Sequence, residues 1–118
     1  MVTESFAPSP SEVSAARHFA QAQAKSLGCD SSDLGLIVSE LATNACVHAR
    51  SAFTVSLRRQ GTDVLVEVGD QNPAPAIARA HSTGPSGRGL QIVAAIAADW
   101  GVATRDPGKS VWAVLPCR

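Results

Sequence analysis

Apolar and polar positions divide the chain into stretches with different periods. Val13, Ala16, Ala20 and Ala24 recur at helical spacing behind Ser11, a candidate N-cap, and Leu27-Gly28 supplies a stop. This predicts a first helix of modest apolarity. Asp30-Ser31-Ser32-Asp33 offers a second cap cluster, and the next helix is expected from about Asp33 to about Arg50. Period-two alternation follows: Phe53, Val55 and Leu57, then Val64, Val66 and Val68 beyond Gln60-Gly61-Thr62. Two such runs joined by a short glycine-containing link predict an antiparallel hairpin.

Residues 70–87 lose this periodicity and are rich in Pro, Gly and Ser, which predicts a long loop of a kind that is usually functional or disordered. Leu90, Val93, Ala94 and Ala97 predict a short helix ending near Trp100-Gly101. Val102–Thr104 and Val111–Leu115, separated by Asp106-Pro107-Gly108-Lys109, predict a closing hairpin. Residues 1–10 are polar, carry Pro8 and Pro10, and are expected as a flexible lead-in to a single domain over 11–118. The order helix, helix, hairpin, loop, helix, hairpin predicts an α+β two-layer sandwich: a mixed, mostly antiparallel sheet with helices on one face. Without strand–helix–strand alternation or a Gly-rich first turn, a doubly wound nucleotide fold is excluded.

Composition narrows the function classes. The 118 residues are 45% hydrophobic, with ten basic and ten acidic side chains. A balanced charge argues against a general nucleic-acid or membrane-surface binder, and the short Arg58-Arg59 pair does not change that. No apolar run approaches the roughly 18 residues of a membrane span, and Met1–Ser5 lacks the basic start of a secretory signal. A cytoplasmic domain is expected. Cys29, Cys46 and Cys117 are odd in number and widely spaced, which predicts reduced thiols used as small hydrophobes. His18, His48 and His81 form a metal site only if three distant segments converge. Trp100 and Trp112 are expected in the core or at its edge.

The second helix carries the candidate chemistry. Leu34, Ile37, Val38, Leu41 and Ala45 make one apolar stripe. Glu40 and Asn44, four apart, stack at its edge among apolar neighbours, and His48 continues their line. A carboxylate and an amide so placed need partners. Spacing alone leaves two readings open. In one, Asn44 gives a neutral oxygen to Mg²⁺ while Glu40 orients or deprotonates a nucleophile; in the other, Glu40 reaches solvent and Asn44 bonds a neighbouring loop. Further on, Gly84, Gly87 and Gly89 allow close backbone approach to a phosphate at a helix start, where Arg88 adds charge. An ordinary flexible connection has the same composition.

Four segments in order carry a resemblance. Glu40-Leu41-Ala42-Thr43-Asn44-Ala45 with His48 resembles the first nucleotide box of the GHKL ATPase superfamily, which includes histidine-kinase ATP-binding domains, gyrase and the anti-sigma-factor serine kinases. Asp70 after a valine-rich strand resembles the second box, and Gly87-Arg88-Gly89-Leu90 the third. Gly108-Lys109-Ser110-Val111-Trp112 is similar to the last hairpin of the anti-sigma subgroup, and the order matches over about residues 11–116. The resemblance, closest to short single-domain actinobacterial-type members, implies a Bergerat-type sandwich holding ATP and Mg²⁺ beneath a mobile lid. It implies Glu40 as general base toward a serine hydroxyl, Asn44 as the Mg²⁺ ligand and Asp70 as the acceptor for the adenine amine. It places His48, Asn72, Gly84, Gly87, Arg88, Gly89 and Leu90 in the cofactor-binding set. It also implies a serine kinase that phosphorylates an anti-sigma antagonist and sequesters a sigma factor, with Arg17 at a partner contact and a candidate homodimer. The second box departs from Asp-x-Gly-x-Gly, reading Asp70-Gln71-Asn72-Pro73-Ala74, and Pro73 and Pro75 stiffen it. That departure motivates the alternative of a non-catalytic partner-sequestering module. The ATP-binding half of a histidine kinase is disfavoured, because no dimerisation helix with a phospho-accepting histidine precedes the domain.

Overall fold

The structure, a computed structural model, describes residues 1–29, 32–71, 89–104 and 108–117. Its elements run β1 (Val2–Phe6), α1 (Pro10–Ser26), α2 (Ser32–Asn44) continued by a π-helical turn (Ala45–Ala49), β2 (Phe53–Gln60), β3 (Asp63–Asp70), α3 (Gly89–Ile96), β4 (Asp99–Thr104) and β5 (Lys109–Pro116). The strands form one sheet in the order β1-β2-β3-β5-β4, and every pairing is antiparallel, where a mixed sheet was expected. Helices and sheet make the two-layer α+β sandwich. Because β5 inserts between β3 and β4, the last hairpin places Lys109 opposite both Asp70 and Thr104.

Pleating sorts the strands into two faces. Phe53, Val55 and Leu57, Val64, Val66 and Val68, and Val111, Ala113 and Leu115 are buried with α1 and α2 in one core. Ala16, Ala20 and Ala24 are the buried positions of α1, so the helix contributes close approach rather than bulk. Gly35 of α2 lies at that approach, where a Cβ would displace the exposed Gln21 amide of α1. No helix among the described residues is long and apolar enough to cross a membrane.

Helix α1 starts two residues earlier than Ser11 suggests. Ser9 is the N-cap, Pro10 takes the first turn where its missing N–H is harmless, and the Glu12 carboxylate accepts from the Ala7 N–H at 3.2 Å. The helix stops in a Schellman arrangement: Gly28 sits at φ +80°, Cys29 N–H reaches Ala24 O at 2.8 Å, and Gly28 N–H reaches Lys25 O at 3.0 Å. The expected stop at Leu27-Gly28 is therefore met.

Four expectations are corrected. Residues 2–6 are not a lead-in but an edge strand on β2, anchored by buried Phe6, which stacks on Phe53 at 5.5 Å and meets Phe19 edge-on at 5.9 Å. The second helix does not stay α-helical to Arg50. After Asn44 it widens, with Arg50 N–H bonding Ala45 O at 2.9 Å, and Arg50 itself turns left-handed at φ 53°. The third helix ends at Ile96, and Trp100-Gly101 belong to β4.

The cysteines are the fourth correction. Cys29 and Cys117 form a disulfide despite a separation of 88 residues. The Schellman turn sets Cys29 beside the end of β5, and Cys117 N–H bonds Thr62 O at 2.8 Å, so the fold brings together two thiols that spacing could not pair. The case for a reducing compartment from cysteine usage falls with it. Cys46 stays free; burial pushes its thiol above the ordinary range, so it is not an activated nucleophile.

A link closing so long a loop restricts the unfolded chain. Cys117→Ser, or reduction of the wild type, should lower stability by about 2–4 kcal/mol. Thermal melts with and without reductant measure this; Cys46→Ser should leave the reductant effect intact.

Candidate functional site

Helix α2 is fixed in rotation by its stripe: Leu34, Ile37 and Val38 are fully buried, and Leu41 and Ala45 nearly so. That setting carries Asn44 inward, to 9% exposure, and leaves Glu40 half-buried one turn earlier. Asn44 Oδ1 is buried with no hydrogen-bond partner among the described residues. Thr43, by contrast, satisfies its hydroxyl on the Ser39 carbonyl at 2.7 Å. Glu40 has no ion pair or hydrogen bond among the described residues. Residues 72–88, which include the loop of the second reading, lie outside the described residues, so both readings of the pair stay open.

The elements around this edge are those the site needs. Helix α3 packs on α2, and both α2 and its π-helical turn touch β3. Leu90, expected in the cofactor set, is buried in the first turn of α3, and Gly89 opens that helix. Leu90 therefore serves the core. His48 lies in the π-helical turn. Its side chain, together with Asn72, Gly84, Gly87, Arg88 and His81, lies outside the described residues. Among the described residues no cluster of His, Cys, Asp or Glu is arranged to hold a metal ion.

Asp70 ends β3 on the helix-facing side, in line with Val64, Val66 and Val68. Lys109 is its direct cross-strand partner, and Lys109 Nζ donates to Asp70 Oδ1 at 2.9 Å with the side chains only 5% and 9% exposed. Lys109 is the residue the sequence did not single out for chemistry, although it stood in the quoted Gly108-Lys109-Ser110 segment. Gly108 makes the pair sterically possible: a Cβ there would collide with the Asp70 carbonyl and the Gln71 backbone.

Two clefts are defined by described residues. One, of about 320 Å³, lies mainly on the outer face of the sheet between Thr54, Ser56, Glu67 and Ser110, and reaches Asp70 and Lys109 at the strand ends. Its polar lining is internally paired, with Ser110 Oγ donating to Glu67 Oε2 at 3.1 Å. Neither Glu40 nor Asn44 lines it. The other, about 500 Å³ and wide open, runs along the α1–α2 seam past Arg17, His18, Gln21, Gly35 and exposed Leu36. Arg17, expected at a partner contact, lines this seam, and neither Glu40 nor Asn44 does.

The described residues thus form an antiparallel α+β sandwich with an acid and an amide one turn apart on α2 and an aspartate at the end of β3. The chain matches the family model of the histidine kinase-like ATPase domain over residues 6–115 and belongs to that family. No curated protein matches it as a relative. ATP is accordingly the nucleotide of this domain. Mg²⁺ suits the residues present, because Asn44 offers a buried neutral oxygen that no described protein donor uses.

The backbone approach at Gly108 is directly testable. Gly108→Ala should separate β5 from the end of β3 and cost about 1–3 kcal/mol by overpacking, read in urea unfolding. A similar change at Gly61, which has φ +60° but nothing within 4 Å of a Cβ, strains the turn without touching the pair.

Proposed function

We propose that the protein is a regulatory serine kinase of the anti-sigma type, acting in the cytoplasm. It transfers the ATP γ-phosphoryl group to a serine of a small antagonist protein and sequesters a sigma factor until that antagonist competes. The observation that carries this reading is the buried Asn44 oxygen, without a hydrogen-bond partner among the described residues, one turn beyond half-exposed Glu40. Asn44 would hold Mg²⁺, which supplies charge compensation on the phosphates. Glu40 takes the proton of the attacking hydroxyl. The serine oxygen forms its bond to the γ-phosphorus as the bond to the β–γ bridging oxygen breaks, and ADP leaves. Positioning supplies most of the acceleration in such transfers. Arg17 and Leu36 on the α1–α2 seam suit a protein partner, and a homodimer is part of the same reading.

The altered second box, Asp70-Gln71-Asn72-Pro73-Ala74, favours a second reading: a module of the same fold that sequesters its partner without catalysis. Phosphotransfer from radiolabelled ATP to candidate antagonists separates the two. Glu40→Gln should lower transfer by about 10²–10⁴-fold while ATP still binds. Asn44→Ala should remove the Mg²⁺-dependent part of ATP binding in calorimetry. Saturable ATP binding with no transfer to any antagonist would leave only the module.

A further inference from the structure

We propose that Lys109 is the positioning residue for base recognition, so that the Asp70–Lys109 ion pair, rather than Asp70 alone, reads the purine. This rests on Asp70 being the acceptor for the adenine amine, as the reading above has it. The pair lies at the end of β3 on the helix-facing side, is nearly inaccessible to solvent, and is held by a direct cross-strand register. Two consequences follow from its chemistry. A carboxylate on a valine-rich strand end needs its charge compensated, and the ammonium at 2.9 Å does so within the protein. An ammonium on Oδ1 also stops the carboxylate from rotating, so the acceptor direction is set before nucleotide arrives.

Gly108 supports the same assignment independently. Its backbone packs against the Asp70 carbonyl so closely that no side chain fits, and this approach seats Lys109 opposite Asp70. A lysine needed only to cover the sheet end could point to solvent, where its entropy is greater and no charge is buried. Here the amine is brought inward instead. A fixed acceptor discriminates against a purine that carries a carbonyl oxygen in place of the amine, because two acceptors would then face each other.

The test is base selectivity. ATP, inosine triphosphate and inorganic tripolyphosphate are titrated calorimetrically, with Mg²⁺, into wild type, Lys109→Arg, Lys109→Met and the double variant Asp70→Asn/Lys109→Met. The double variant removes both charges of the pair and serves if Lys109→Met does not fold. Wild type should prefer ATP over inosine triphosphate by at least ~tenfold, and Lys109→Arg should keep most of that preference. Lys109→Met and the double variant should fall to within ~threefold, with tripolyphosphate affinity unchanged in all four. A folded Lys109→Met or double variant that keeps the wild-type ratio overturns the role of Lys109 and leaves the nucleotide reading standing. Tighter ATP binding by Lys109→Met also overturns it, since the lysine would then be a competitor for Asp70. Wild type that binds neither ATP nor tripolyphosphate overturns the nucleotide reading and the role of Lys109 together.

Discussion

The rotational setting of α2 governs everything else at the site. Leu34, Ile37, Val38 and Leu41 lie in the core, and burying each such side chain is worth roughly 1.5–3 kcal/mol. An orphaned amide oxygen costs roughly 1–3 kcal/mol. The stripe wins by a wide margin, so α2 cannot turn to bring Asn44 into water. A polar atom is thereby held in an apolar edge without a partner among the described residues, which is the condition for it to accept one from elsewhere. The π-helical turn that follows leaves this setting untouched and redirects the chain after Ala45, ending in left-handed Arg50 before β2.

The sheet distributes its constraints between two ends. At the Asp63–Pro116 end, the Cys29–Cys117 link ties the α1–α2 connection to β5, and Arg59 Nη1 donates to Leu27 O at 2.7 Å. At the Asp70–Lys109 end, about 23 Å away at the usual strand rise, the tie is electrostatic and the polar groups gather. Between them run the buried valines of β3. The covalent restraint thus lies at the Asp63–Pro116 end, while at the other end the ion pair sits beside the aromatic cluster of Phe6, Phe19 and Phe53, the last of which is the cross-strand neighbour of Asp70.

Much of this was legible because it is local. The 3.6-residue stripe of α2 named its buried side and left Glu40 and Asn44 at the edge, and the period-two runs named both hairpins. What stayed hidden depends on tertiary proximity. Phe6 is an isolated apolar residue among polar neighbours, and only Phe53 and Phe19 give it a place. Cys29 and Cys117 meet through the fold, and so do Asp70 and Lys109, 39 residues apart. Gly108 reads as a turn residue in sequence, yet its closest neighbour is the backbone of β3. The π-helical turn after Asn44 was hidden as well, because a periodicity of four does not show where a helix changes pitch. Asn72, Gly84, Gly87 and Arg88 lie outside the described residues, and their part in the reading rests on the family pattern.

The unequal burial of Glu40 and Asn44 has a physical logic. Burying a neutral amide costs far less than burying a carboxylate, so of the two, Asn44 is the one that can sit inside and await a cation without unfolding the helix. A base that serves a hydroxyl on another macromolecule needs the opposite: access. Half-exposed Glu40, one turn nearer the start of α2 and free of ion pairs among the described residues, meets that need. Exchange the two along the helix and the carboxylate would lie in the apolar edge, where it would neutralise or destabilise the stripe, while the amide faced water. The order acid then amide is therefore what the burial gradient of this helix permits.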